Sequence, residues 1–295
     1  MSTVRTDVVS STVFVLCWSS GFVGARLGTA VASPITVLGW RFACLGLLLV
    51  AVCVALRVRF AARTLRQQAV LGTLQQVCYL GLVFWAISLG VPAGLAALVT
   101  SMQPLLVSTI AGPLLGERVT RWQRLGLLVG LGGVALVVGG DLGGTTAPWW
   151  AYLLPVVAML TMATGTLTER RWRTEESLLQ VVTIQSVVAA VVFTVVAALT
   201  GQVAPPADPQ FWAAVVWLVG LSSIGGYGAF VFVSRRQGAT RSSTLLYLTP
   251  PTVMVWTFLM FGDTITLLGL LGLVVCAAGV TVALRSRRLP PPPVA

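Results

Sequence analysis

The chain is a succession of apolar runs separated by short polar breaks. A helix needs about 20 apolar residues to cross the hydrocarbon core of a bilayer. Ten runs come close to or exceed that length: 8–29, 34–56, 69–89, 92–115, 122–140, 149–168, 178–200, 210–233, 242–261 and 264–284. The pattern predicts an all-α integral membrane protein with ten transmembrane helices. Seven residues precede the first run and no cleavage-site pattern follows it, so it is read as a retained helix and not as a removed signal peptide.

The breaks alternate in charge. Arg5 precedes the first run; Arg57, Arg59, Arg63 and Arg66 follow the second; Arg118, Arg121 and Arg124 mark the fourth break. Arg170, Arg171 and Arg173 follow the sixth run, Arg235, Arg236 and Arg241 the eighth, and Arg285, Arg287 and Arg288 the tenth. The intervening breaks carry Asp141, Asp208 and Asp263 and no basic residue. Positive charge stays on the cytoplasmic side, which predicts both termini in the cytoplasm. Miscounting by one helix would scatter the arginines over both faces.

The chain also repeats itself. Residues 90–136 shifted by 146 positions fall on 236–282 without a gap: Pro104 on Pro250, Gly116-Glu117 on Gly262-Asp263, Leu125-Gly126 on Leu271-Gly272, Gly133-Val134 on Gly279-Val280. The shift is about half the length, so the division expected is 1–141 and 142–288 with a proline-rich cytoplasmic tail at 289–295. Five helices per unit is an odd number, and the second unit therefore enters from the opposite side. Two inverted five-helix repeats that exchange conformations, with a site near the midplane, are a transporter architecture.

Each repeat holds a helix with an internal proline, a Gly-acid turn and a glycine-rich helix. In the first copy that turn reads Leu115-Gly116-Glu117, and the unit opens with Trp18-Ser19-Ser20-Gly21-Phe22, Ser33-Pro34 and Arg41-Phe42. This order resembles the EamA-type repeat of the drug/metabolite transporter superfamily, over nearly the whole chain. The resemblance implies a ten-helix permease exporting small organic metabolites, with amino acids or related zwitterions first and amphipathic drugs or cations as the alternative.

Composition agrees. Hydrophobic residues make up 57%, charged residues 9%, and mean hydropathy is +0.93, against about 25% charged residues in soluble domains. A net charge of +11 invites a nucleic-acid reading, but the arginines sit in short breaks between apolar runs, where membrane orientation explains them. All 19 basic residues are arginine and histidine is absent, which removes imidazole acid/base chemistry and histidine metal ligation. Arginine-only usage with abundant Ala, Gly and Val fits a GC-rich bacterial genome and hence an inner membrane. Cys17, Cys44, Cys53, Cys78 and Cys276 lie inside apolar runs without metal-type spacing and read as packing residues. No metal or cofactor is expected.

Two charges fall well within runs, Arg26 and Arg41. A charge at the bilayer centre costs about 2.5–3.5 kcal/mol on insertion scales, so it faces protein or water, or snorkels. Each arginine either reaches headgroups, ties down broken-helix carbonyls, or captures a substrate carboxylate or phosphate with its planar fork.

Other polar and aromatic groups within runs either line a cavity or bond a neighbouring helix: Trp18, Ser19, Gln75, Gln76, Tyr79, Ser101, Gln103, Gln185, Tyr227, Tyr247 and Thr249 are the substrate-binding candidates, with Ser20, Thr161, Thr164, Ser222 and Ser223 beside them. Gln103 and Thr249 precede Pro104 and Pro250, where a missing N–H frees a carbonyl and kinks the helix.

Thr120 and Gln123 fit a capping box, and Gly116, Glu117 and Asp263 read as turn residues. The glycines of the fifth and tenth runs permit close helix contact, as internal scaffold or in a homodimer. No Asp, Glu, Lys or His lies in any run as bounded above, so uniport down the substrate gradient is the expected mechanism. An embedded enzyme would need a nucleophile, acid or metal site that the runs lack, and a non-transporting structural or sensory protein would not need the inverted duplication.

Overall fold

The computed structural model describes residues 2–115, 120–141, 147–172, 176–237, 245–264 and 266–285. Among them every regular element is helical. In chain order these are α1 (Ser2–Thr29), α2 (Pro34–Ala55), α3 (Ala62–Ser88), α4 (Ala93–Ser101, resuming as Gln103–Leu115) and α5 (Arg121–Asp141). Then follow α6 (Leu153–Trp172), α7 (Leu178–Leu199), α8 (209–237), α9 (Thr249–Phe261) and α10 (Leu267–Arg285). Among the described residues 7 helices are long and apolar enough to span a membrane, and α5, α9 and α10 carry the shorter apolar stretches Arg124–Gly139, Leu246–Phe261 and Leu267–Val282. Leu47, Val54, Leu199, Leu259 and Leu267 are exposed on the outer surface, as a lipid-facing shell requires.

Several helices run beyond their apolar cores. α1 begins at Ser2, α3 at Ala62 and α6 continues to Trp172, because a helix ends where its backbone bonds find other partners and not where hydrocarbon stops. The starts are capped locally. Ser33 accepts from Thr36 N at 3.2 Å with Pro34 in the first turn, and Asp208 accepts from Gln210 N at 2.8 Å ahead of Pro209. Ser177 and Gln180 form a reciprocal capping box that opens α7. The box expected at Thr120 requires the Gln123 side chain, which lies outside the described residues, as do Gly116, Glu117 and the tail at 289–295. Gly262, with φ +70°, ends α9 in the left-handed conformation.

Helices that are copies under the 146-residue shift pack against each other. A Cβ on Gly133 of α5 would lie 2.7 Å from Gly272 O of α10, and one on Gly279 would lie 2.6 Å from Gly126 O. Between them Cys276 Sγ meets Gly130 O at 3.3 Å. Partner numbers fall as α5 numbers rise, so the two helices are antiparallel. The same holds for α2 and α7, where Gly39 faces Phe193, Gly46 faces Ser186, and Cys53 Sγ meets Thr183 Oγ1 at 3.3 Å. The glycine faces of the fifth and tenth helices are thus used within one chain.

Helix-end contacts fall into two groups. Arg26 pairs with Asp263, Gln210 Nε2 donates to Leu27 O at 3.1 Å, Thr36 Oγ1 to Gln202 O at 2.8 Å and Trp40 Nε1 to Val203 O at 3.0 Å. At the opposite ends, Arg236 Nε pairs with Asp7 Oδ1 at 2.5 Å and Gln180 Nε2 donates to Arg59 O at 2.8 Å. No contact in one group uses a break that the arginine pattern assigns to the other.

Two stretches depart from α geometry in matching places. Thr73–Cys78 of α3 and Leu218–Gly225 of α8 are π-helical, and the first, shifted by 146, becomes 219–224, inside the second. π segments are rare and concentrate at functional sites. Both border the cavity described next.

Candidate functional site

A cavity enclosing about 610 Å³ of atom-free space, its mouth included, opens between α1, α2, α3, α6 and α8. Its position follows from the helix interruptions. The π turn of α3 supplies Gln75 and Gln76, with Tyr79 just beyond it, and the π turn of α8 supplies Ser222, with Tyr227 just beyond. Trp18 and Phe22 come from α1, Arg41 from α2, Phe84 from α3 and Met162 from α6. α1 comes close to α8 because its facing residues are glycines: a Cβ on Gly21 would sit 2.8 Å from Ser222 Oγ, and one on Gly24 would sit 2.6 Å from a Leu218 methyl.

Among the described residues Arg41 is the one full charge on this lining. It is 4% exposed. Its Nη2 donates to Ser223 Oγ at 3.1 Å, and Ser223 Oγ in turn donates to Leu218 O at 2.9 Å across the π turn. The guanidinium carbon lies 5.1 Å from the Phe42 ring centre and 6.0 Å from that of Phe84. Among the described residues no carboxylate pairs with it, and its Nε has no hydrogen-bond partner. A buried charge is ordinarily paired, and Arg41 is not.

One wall is an amide network. Gln76 Nε2 donates to Tyr227 OH at 2.8 Å and to Gln185 Oε1 at 3.2 Å; Gln185 Nε2 donates to Gln68 Oε1 at 3.0 Å and to Gln75 Oε1 at 3.4 Å. Continuing from it, Trp18 packs edge-on against Tyr227 at 5.6 Å and against Phe14 at 5.7 Å.

Six of the substrate-binding candidates therefore meet at the cavity, Trp18, Arg41, Gln75, Gln76, Tyr79 and Tyr227, and Ser222 lines it with them. Gln185 stands behind them, holding Gln75 and Gln76. The rest are elsewhere. Arg26 is paired with Asp263 and lies over the Phe261 ring at 4.2 Å, so its charge is balanced within the protein. Ser19 is buried with its hydroxyl unpartnered among the described residues. Ser101 Oγ donates to Leu98 O of its own helix at 2.7 Å, and Gln103 Nε2 to Thr166 Oγ1 at 3.0 Å. Tyr247 packs on the apolar cluster that contains Met102, and Thr249 is buried at the start of α9. The helix preceding Pro104 stops at Ser101, and a 3₁₀ turn, Leu246–Leu248, precedes Thr249 and Pro250. In both copies the backbone departs from α geometry just ahead of the proline, where the N–H is missing.

One acid alters the charge inventory. α6 extends to Trp172, so Glu169 lies inside a helix long and apolar enough to span, which corrects the expectation of acid-free spans. Gln75 Nε2 donates to Glu169 Oε2 at 3.4 Å. Charge alone ended the sixth run at 168, because Glu169 is followed by Arg170 and Arg171.

A helical membrane protein whose duplicated halves enclose a cavity with an unpaired cation has the build of a transporter. The chain belongs to the EamA-like transporter family, whose model matches residues 8–139 and again 149–285. It is 30% identical over 276 residues to the "Probable terminal-alkyne amino-acid exporter" of Streptantibioticus cattleyicolor, covering 90% of this chain and 89% of that protein. It is 26% identical over 284 residues to the "Uncharacterized inner membrane transporter YedA" of Escherichia coli K12, covering 95% and 91%, and 23% identical over 287 residues to that organism's "Probable amino-acid metabolite efflux pump", covering 94% of each. A solved crystal structure superposes with TM-score 0.68 over 97% of this chain and 99% of its own at 22% identity, which shows the fold. The chain is a multi-pass inner-membrane protein of the transporter class.

Proposed function

We propose that this protein is an alternating-access exporter of small organic metabolites bearing a carboxylate, with amino acids and related zwitterions as the leading class. Arg41 carries the reading: it is a buried guanidinium on the cavity lining, held by one serine, with Nε unpartnered and no carboxylate paired to it among the described residues. A substrate carboxylate is the charge that this fork is shaped to bind. The Streptantibioticus exporter and the Escherichia efflux pump, both named for amino-acid substrates, support the same class.

The proposed scaffold is ten spans in two inverted five-helix repeats, 1–141 and 142–288, with both termini and the tail at 289–295 in the cytoplasm. Antiparallel packing of the repeat-equivalent pairs α5/α10 and α2/α7 supports the inversion, because copies related by an in-plane twofold axis must run in opposite directions. The matching π segments support the duplication itself. Flux is proposed to follow the substrate's own gradient. An amphipathic cation fits less well, since the charged group on the lining is itself a cation.

The test is efflux from liposomes that contain the purified protein and are loaded with a mixed metabolite pool, with mass spectrometry reading what leaves. Selective, gradient-driven loss of carboxylate-bearing compounds is expected. Loss of amines alone, or of nothing from demonstrably folded protein, overturns the reading.

A further inference from the structure

We propose that Glu169, positioned by Gln75, reads the protonated amine of the substrate, so that the protein selects zwitterions over plain carboxylic acids. This rests on the assignment of the substrate carboxylate to Arg41.

Met162, Gly165, Thr166 and Glu169 are spaced i, i+3, i+4 and i+7 on α6 and form one stripe of that helix. Three of the four meet the cavity or a residue on its lining. Met162 lines the cavity. Gly165 lies under Gln75: a Cβ there would sit 2.7 Å from Gln75 Cγ, so only glycine lets that side chain lie flat on α6. Thr166 accepts from Gln103, and Glu169 accepts from Gln75. The stripe places Glu169 about 10 Å along the axis from Met162, toward the helix end that carries Arg170 and Arg171. In the proposed topology that end is cytoplasmic, so an exported substrate meets Glu169 before Arg41.

The charges are complementary to a zwitterion. Glu169 is half-buried, and among the described residues it forms no ion pair and accepts only the 3.4 Å bond from Gln75. Among the described residues Arg41 likewise lacks an ionic partner. A protein that needed these charges for stability would pair them; here a guanidinium on the cavity lining and a carboxylate bonded to the lining residue Gln75 both lack an ionic partner among the described residues. An ammonium group brings three donors and no acceptor, the complement of a carboxylate with vacant lone pairs. Gln75 fixes the carboxylate's direction, and is itself fixed by Gln185 Nε2 donating to its Oε1 at 3.4 Å. Glu169 is thus a specificity-determining residue and Gln75 its positioning residue.

The experiment measures inhibition of amino-acid flux in proteoliposomes. The labelled probe is the amino acid lost fastest from the mixed pool, and the competitors are that amino acid, its des-amino carboxylic acid and its decarboxylated amine. Wild-type protein should prefer the amino acid over the des-amino acid by about tenfold, the value of one charge-assisted hydrogen bond. Glu169→Gln should bring the two within about threefold and Glu169→Asp should restore part of the preference. Gly165→Ala, which displaces Gln75 without touching either charge, should lower the preference in the same direction. An unchanged preference in Glu169→Gln overturns the proposal. So does an unchanged preference with a lost response to an imposed pH gradient, which would make Glu169 a proton site. If Arg41→Gln weakens inhibition by both carboxylated competitors while Glu169→Gln changes nothing, this inference fails alone; if Arg41→Gln also changes nothing, the reading beneath it fails too.

Discussion

Arg41→Gln is predicted to weaken substrate binding without a matching loss of stability. In the empty protein the guanidinium's burial costs at least about 2.5–3.5 kcal/mol. Against that stand one hydrogen bond from a charged donor, about 1.5–3 kcal/mol, and two aromatic faces at 5.1 and 6.0 Å, together roughly 0.5–2 kcal/mol. The two sides nearly cancel, so replacement should leave the unfolding midpoint in detergent unchanged or slightly raised. The substrate carboxylate, by contrast, loses a charge-assisted bond of about 1.5–3 kcal/mol, which is roughly a 10- to 100-fold rise in the concentration giving half-maximal efflux. Arg41→Lys keeps the charge and loses the fork, and should fall between. Proteoliposome flux across substrate concentrations, beside thermal unfolding of the same preparations, reads both quantities. An unchanged half-saturation with a clearly lowered midpoint would make Arg41 a structural residue and refute its assignment.

Arg26→Ala should leave half-saturation within about twofold of wild type, because its charge is held by Asp263 away from the cavity lining and a partly exposed pair is worth about 0–1 kcal/mol; the same flux assay checks it. Gly272→Leu should destabilise by about 1–3 kcal/mol through overpacking, since even a Cβ there would lie 2.2 Å from a Val137 methyl, whereas Gly132→Ala, with nothing within 4 Å, should be neutral. Unfolding midpoints of the two variants in one detergent compare them, and an equal loss in both would refute the α5/α10 geometry.

Hydropathy exposed the helices because each one must hide its backbone from lipid, and the arginines of the breaks exposed their alternation. Arg41 was legible because a charge inside an apolar run has few explanations. Its counterpart Arg26 gave the same signal but met a partner 237 residues away, a relation that no local pattern contains. Glu169 was hidden by its neighbours: beside Arg170 and Arg171 it looked like the edge of a loop, while the helix continued past it. Gln68 was overlooked because it precedes the apolar part of α3. The π segments left no mark in composition. They change the direction of Tyr79 and Tyr227 through backbone geometry, and only the coordinates reveal that they occupy equivalent places in the two halves. The prolines could be read as interruptions, yet neither residue beside them lines the cavity: Gln103 bonds Thr166 and Thr249 is buried at the start of α9.

The central claim is that one cavity, built by both halves, faces each side of the membrane in turn. Ser222→Cys, placed on the cavity lining in a background with the five native cysteines replaced, tests it by labelling in sealed proteoliposomes with a membrane-impermeant maleimide. Labelling from either face, blocked in both cases by the transported amino acid, is the predicted result. Labelling from one face only, at a rate the substrate does not change, would contradict alternating access through this cavity.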